Sequence, residues 1–251
     1  MHEDQDGVRR HQGAVRRLTS LPAPVLVLLG AVLLFVVLNC VQASPPYARH
    51  LASRTILSAK DLGYPWQRAD DAEDLVDGDL QSVPRSLSPA CHDNQRTVED
   101  LWDRRADTSF PGAHAVYRYS GDAYDEFRIV VARLPTAGSD RLFQALEESP
   151  ALCDGIRETA EERDSLYGWS YAVKTLPDPG LGDRSIAVRR FDTPGGGADW
   201  PGHGRTQYAI QKGSYVALLT FVGREERFTE RMAGTVRHLL ITAADKLDRA
   251  Q

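Results

Sequence analysis

Between Arg17 and Arg49 the chain carries no charged side chain. Inside that window Val25 to Leu38 reads VLVLLGAVLLFVVL, broken only by Gly30. A soluble domain rarely offers so apolar a stretch with no polar face, which argues against a buried core helix. Two destinations are left, a membrane anchor or a cleaved signal peptide. The strict apolar run covers 14 positions, the length of a signal-peptide core. Extended from Leu21 to Val41 it covers 21, enough to span a bilayer at the rise of an α-helix. Pro22 and Pro24 fall at its start, where a missing N–H costs little. The leading expectation is an uncleaved anchor. Val41-Gln42-Ala43 offers a cleavage site that would release a secreted protein, and Cys40 offers a lipoprotein attachment point, although Asn39 stands where such signals carry a small residue.

All three alternatives share one topology. Arg9, Arg10, Arg16 and Arg17 hold the N-terminus in the cytoplasm, and the bulk of the chain lies outside. The expected organisation is a cytoplasmic tail over 1–20, an anchor or signal helix over 21–41, a linker over 42–54 and an extracytoplasmic domain over 55–251. A tail of that size is too short to bury a core. At 42% hydrophobic and 26% charged the whole chain has globular composition. The net charge of -5 argues against nucleic acid as a partner.

The exported part alternates between helix and strand signals. Ser58-Ala59-Lys60-Asp61 has the form of a capping box and opens a short helix before Gly63. Residues 69–90 are acidic and read as an irregular, solvated stretch; the loop spacing of an EF-hand is absent. Val98, Leu101 and Trp102 predict a short helix over Thr97–Arg104. Ala113–Ser120 and Ala123–Leu134 are strand-like and meet at Gly121-Asp122, a hairpin signal. In the second run both faces are apolar, which predicts a central strand. Ser139 is a candidate N-cap for a helix carrying Leu142, Phe143 and Leu146, and Ser149-Pro150 reads as a second start, with Leu152, Ile156 and Ala160 on one face. Four more strands are expected at Leu166–Leu176, Ser185–Phe191, Arg205–Gln211 and Tyr215–Val222, the last two joined by a tight turn at Lys212-Gly213. Phe228, Met232, Val236, Leu239, Leu240, Ala243 and Leu247 form one stripe on a closing helix over Glu226–Leu247. Strands in hairpins with occasional helices predict an α+β fold, an antiparallel sheet of about five to seven strands with helices packed on it.

An exported chain lives where disulfides persist, and with Cys40 set aside Cys91 and Cys153 are the remaining pair, expected to be bridged rather than left as two buried thiols. Metal-ligand spacing is missing around His92, and no cofactor is expected. Gly168-Trp169-Ser170-Tyr171-Ala172 faintly has the form of a nucleophile elbow but lies inside a strand-like run with no helix after it. Thr193-Pro194-Gly195-Gly196-Gly197 lacks the Lys and helix of a phosphate loop. His114 and His203 have no motif around them. No nucleophile–base set emerges. Trp66, Trp169, Tyr171 and Trp200, with Tyr208, fall near strand ends or loops and are the candidate ligand-binding residues; core packing is the competing role for each.

The run Ile56-Leu57-Ser58-Ala59-Lys60-Asp61-Leu62-Gly63, then Trp66, a Cys, a hairpin, a helix bearing another Cys, four strands and a closing helix resembles the extracytoplasmic sensor domain of the actinobacterial PknH-type Ser/Thr kinases over about 55–248. The resemblance implies an antiparallel sheet with a large cleft and a non-catalytic, ligand-sensing role. Kinase motifs are absent here, and this chain can form one disulfide where the kinase-attached domain has two. The expected function is non-enzymatic ligand binding or sensing outside the membrane, with a small molecule, glycan, lipid or envelope protein as partner and the membrane held through 21–41. An exported hydrolase acting on envelope material, or an accessory subunit of an envelope complex, are the alternatives.

Overall fold

A computed structural model describes residues 24–25, 27–34, 44–63, 66–69, 88–103, 111–119, 122–155, 157–162, 165–195, 203–224 and 233–250. The chain divides into two units, Met1–Ser44 and Pro45–Gln251. In the first, residues 24–25 and 27–34 are helical, and Val27, Leu28, Leu33 and Leu34 are exposed. Among the described residues no helix is long and apolar enough to cross a membrane; most of the 21–41 segment lies outside them.

The second unit is built on one antiparallel sheet. Its helices are α1 (Pro45–Thr55), α2 (Ala59–Leu62), α3 (Pro89–Asp103), α4 (Thr136–Cys153) and α5 (Ala233–Asp248). Its strands are β1 (Trp66–Arg68), β2 (Gly112–Tyr119), β3 (Asp122–Arg133), β4 (Arg157–Glu162), β5 (Ser165–Thr175), β6 (Arg184–Gly195), β7 (His203–Lys212) and β8 (Tyr215–Arg224). Their order across the sheet is β1-β2-β3-β8-β7-β6-β5-β4. The α+β class stands, with eight strands rather than five to seven.

Alternation along the strands sends side chains to two separate cores. Phe127, Ile129 and Val131 of β3 join Ala217, Leu219 and Phe221 of β8 beneath α1, α2 and α5. Val130 and Ala132 join Val216, Leu218 and Ala209 beneath α3 and α4. β3 is therefore buried on both faces, as its sequence implied. Arg184 ties α4 to β6: its guanidinium lies 4.4 Å from the Phe143 ring centre and 2.7 Å from Glu147. Gly213 takes φ +54 in the turn that lets Lys212 pair with Tyr215.

Four local expectations are corrected. Pro45–Thr55 is a helix, not part of an extended linker, because Ala48 and Ala52 are fully buried against the sheet side of the core. The Thr97 helix begins at Pro89 and so carries Cys91. The Ser139 hydroxyl is internal to α4, donating to the Thr136 carbonyl at 3.0 Å, while Pro135 occupies the cap. That helix passes through Pro150 and stops at Cys153. Gly155 (φ +72) turns the chain, and Ala160 belongs to edge strand β4 rather than to a helix face. Pairing of Arg157–Glu162 with β5 outweighs the weak helical period read there. The first turns expected of the closing helix, through Met232, lie outside the described residues.

Candidate functional site

The capping box forms as read. Ser58 Oγ accepts from the Asp61 amide at 3.3 Å, and Asp61 Oδ2 accepts from the Ser58 amide at 2.6 Å. It fixes α2, whose Leu62 enters the core, and leads directly to β1. Trp66 on that strand is buried. Its ring meets Tyr119 edge-on at 5.5 Å and Phe127 at 6.4 Å. It is core, and it does not line the pocket described below. Trp169 and Tyr171 lie in β5, opposite Pro194 and Asp192 of β6. Their side chains, and Trp200 altogether, lie outside the described residues. Ser170 sits in an unbroken strand, with no elbow around it.

Cys91 and Cys153 are joined in a disulfide. The bridge pins α3 to the end of α4 on the sheet face away from α5, and Asn94 Nδ2 donating to the Ala145 carbonyl at 2.9 Å reinforces the same contact.

On the opposite face a pocket of about 690 Å³ opens between α5, the sheet and the β5–β6 connection. That size falls within the range of small-molecule sites, roughly 300–1,000 Å³. Its floor is set by strand register. Arg189 of β6, Thr206 of β7 and Phe221 of β8 stand directly opposite one another, and Tyr208 lies two residues along β7 on the same face. Tyr208 meets Phe221 edge-on at 6.0 Å. Val236, Arg237, Leu240 and Ile241 of α5 form the roof, and Leu176 to Leu181 form the side wall.

The wall holds its shape through its own hydrogen bonds. Asp178 accepts from the Ser185 hydroxyl and from the Gly180 amide at 2.9 Å, and Ser185 Oγ accepts from the Leu181 amide at 3.0 Å. These bonds, the Ser185 one foremost, hold the Asp178 carboxyl below its usual range. Asp183, one residue beyond Gly182, accepts from the Gly213 amide at 2.7 Å and so fastens the wall to the β7–β8 turn. Burial pushes the Tyr208 phenol up, against the opposing pull of the Arg189 charge.

Among the described residues no His, Cys or Ser lines the pocket, and its Asp178 carboxylate is already engaged. Among the described residues no group of His, Cys, Asp and Glu is arranged to hold a metal ion. Of the aromatics singled out in the sequence whose side chains are described, Tyr208 lines the pocket and Trp66 does not. Arg189 carried no signal: it lies in a strand beside other arginines, and only pairing across three strands gives it a pocket to face.

No family model matches the chain, and no curated protein is similar to it in sequence. Among solved structures it is similar to the extracellular domain of PknH from Mycobacterium tuberculosis, at 17% identity and a TM-score of 0.46, covering 80% of this chain and 95% of that one. It is also similar to cyanobacterial PsbP (CyanoP) from Synechocystis, at 11% identity and a TM-score of 0.26, covering 53% of this chain and 71% of that one.

Proposed function

We propose that this is a non-enzymatic binding or sensing domain, held outside the membrane by residues 21–41, whose ligand enters the pocket beneath α5. The observation that carries it is the lining: apolar walls with a few polar groups on the floor and no nucleophile–base pair among the residues that form it. The extracytoplasmic placement is supported by the charge-free apolar run, by the exposed apolar side chains of the 27–34 helix and by the Cys91–Cys153 bridge, a bond favoured in oxidising compartments.

The test uses the full chain in phosphatidylcholine nanodiscs, incubated with the small-molecule fraction of an envelope extract. A bound compound should raise the melting temperature and be recovered with its mass unchanged. Ile241→Trp, which fills the pocket from the roof, should abolish the effect. Accumulation of lower-mass products would replace the reading with the hydrolase. Equal binding by I241W would move the site elsewhere. The anchor is tested by N-terminal sequencing of membrane-fraction protein: a start at Ser44 or a lipid-modified Cys40 overturns it.

A further inference from the structure

Arg189 is a lining side chain whose chemistry the described residues do not complete. Its Nη2 is buried and, among the described residues, has no hydrogen-bond partner. Its cross-strand neighbours are Thr206 on one side and Lys174, also a cation, on the other. A guanidinium does not shed its proton, and a buried N–H without an acceptor is destabilising. Arg237 brings a second guanidinium to the rim from α5. Asp178 offsets only part of this charge and already accepts from Ser185 and Gly180. Around these groups the pocket is apolar, lined by Leu176, Leu181, Val236, Leu240 and Ile241.

Resting on the pocket reading above, we propose that the ligand is an amphiphilic anion: its carboxylate or phosphate head accepts from Arg189, with the Thr206 and Tyr208 hydroxyls beside it, and its hydrocarbon body lies under α5. A charged head meets a guanidinium whose Nη2 otherwise goes unpaired, and a planar donor fork is the group with which arginine binds oxyanions most strongly. The Tyr208 phenol, protonated at neutral pH, is a donor as well. The apolar roof excludes a bare polar anion as the best occupant, because its walls would stay wet or empty.

Calorimetry on the full chain in nanodiscs, with empty discs as blank, tests this with octanoate, octyl phosphate, octanol and inorganic phosphate. Saturable binding of the two anionic amphiphiles at least tenfold tighter than octanol is expected. Arg189→Gln should bring them to the octanol level without lowering the melting temperature, since it removes a buried N–H group that has no acceptor. Thr206→Val, nearly isosteric, gives a second readout, a loss of several-fold for the same probes. Octanol binding as tightly as octanoate, or R189Q retaining full affinity, overturns the head-group assignment while leaving the pocket in place if I241W still abolishes binding. Anion binding unchanged in I241W overturns both. Inorganic phosphate as tight as octyl phosphate overturns the amphiphile in favour of a free-anion site. No saturable binding by octanoate or octyl phosphate overturns the inference, and the extract experiment then judges the pocket independently.

Discussion

Lys246 Nζ lies 2.7 Å from Asp61 Oδ2 and 3.1 Å from the carbonyl oxygen of Ile56, so the last turn of α5 is clamped to the capping box of α2. The two residues are 185 positions apart, and one carboxylate serves as both cap and counter-ion. That clamp holds the helix that roofs the pocket.

Acid should loosen it. Burial alone would raise the Asp61 carboxyl, but hydrogen bonds from Lys246 and Ser58, with the Lys246 charge, bring it down to about 2. A carboxyl depressed on folding contributes stability above its unfolded value near 4 and loses it as pH falls toward 2. After solvent screening the contribution is about 1–2 kcal/mol. Asp61→Asn should cost about that at pH 7 and flatten the stability profile between pH 4 and 2, as measured by urea unfolding across that range. A variant with the wild-type profile would show that the clamp contributes nothing.

The wall depends on Gly182. Its φ is +70, and a Cβ there would collide with the carbonyl oxygen of Gln211 on β7. Gly180 has a similar φ of +66 but open space around it. Gly180→Ala should therefore cost only the left-handed backbone penalty, about 1–2 kcal/mol. Gly182→Ala should cost distinctly more and weaken ligand binding, because the wall must shift. Equal melting temperatures for the two variants would contradict this.

Position decides the cost of truncation on α5. Leu239 is fully buried in the core beneath the sheet, whereas Ile241, two residues on, is 42% exposed at the pocket rim. Leu239→Ala is expected to cost about 2–5 kcal/mol. Ile241→Ala should stay within about 0.5 kcal/mol, as surface substitutions do. Chemical unfolding of both checks that the helix is integral to the fold and not an appendage.

The bridge closes a long loop, its cysteines 62 residues apart. Cys91→Ala paired with Cys153→Ala should cost about 2–5 kcal/mol. Non-reducing peptide mapping of natively exported protein should recover the linked pair. Two alkylatable thiols would remove the bridge and, with it, one support for an oxidising compartment.

Periodicity alone placed the long strands, because β3 and β8 are apolar at neighbouring positions on both faces and such runs suit a sheet covered on two sides. It also gave the stripe of α5, from Val236 to Leu247, and the capping box at Ser58, since each is written within one or two turns of local sequence. The Cys91–Cys153 pairing followed from compartment and count. Tertiary structure decided the rest. Pro45–Thr55 is helical where local composition suggests a linker, because two alanines find a surface to pack on; β1 and β4 exist because a sheet edge lies beside them. Trp66 went to the core, where its ring meets two other rings. The pocket belongs wholly to tertiary structure: Arg189, Thr206 and Phe221 share a floor only because three antiparallel strands align them, and side chains as distant in sequence as Leu176 and Ile241 line it together. Local sequence carries preferences for helix and strand, but which side chain stands unpaired in a cavity depends on register between distant strands, and no local pattern encodes that.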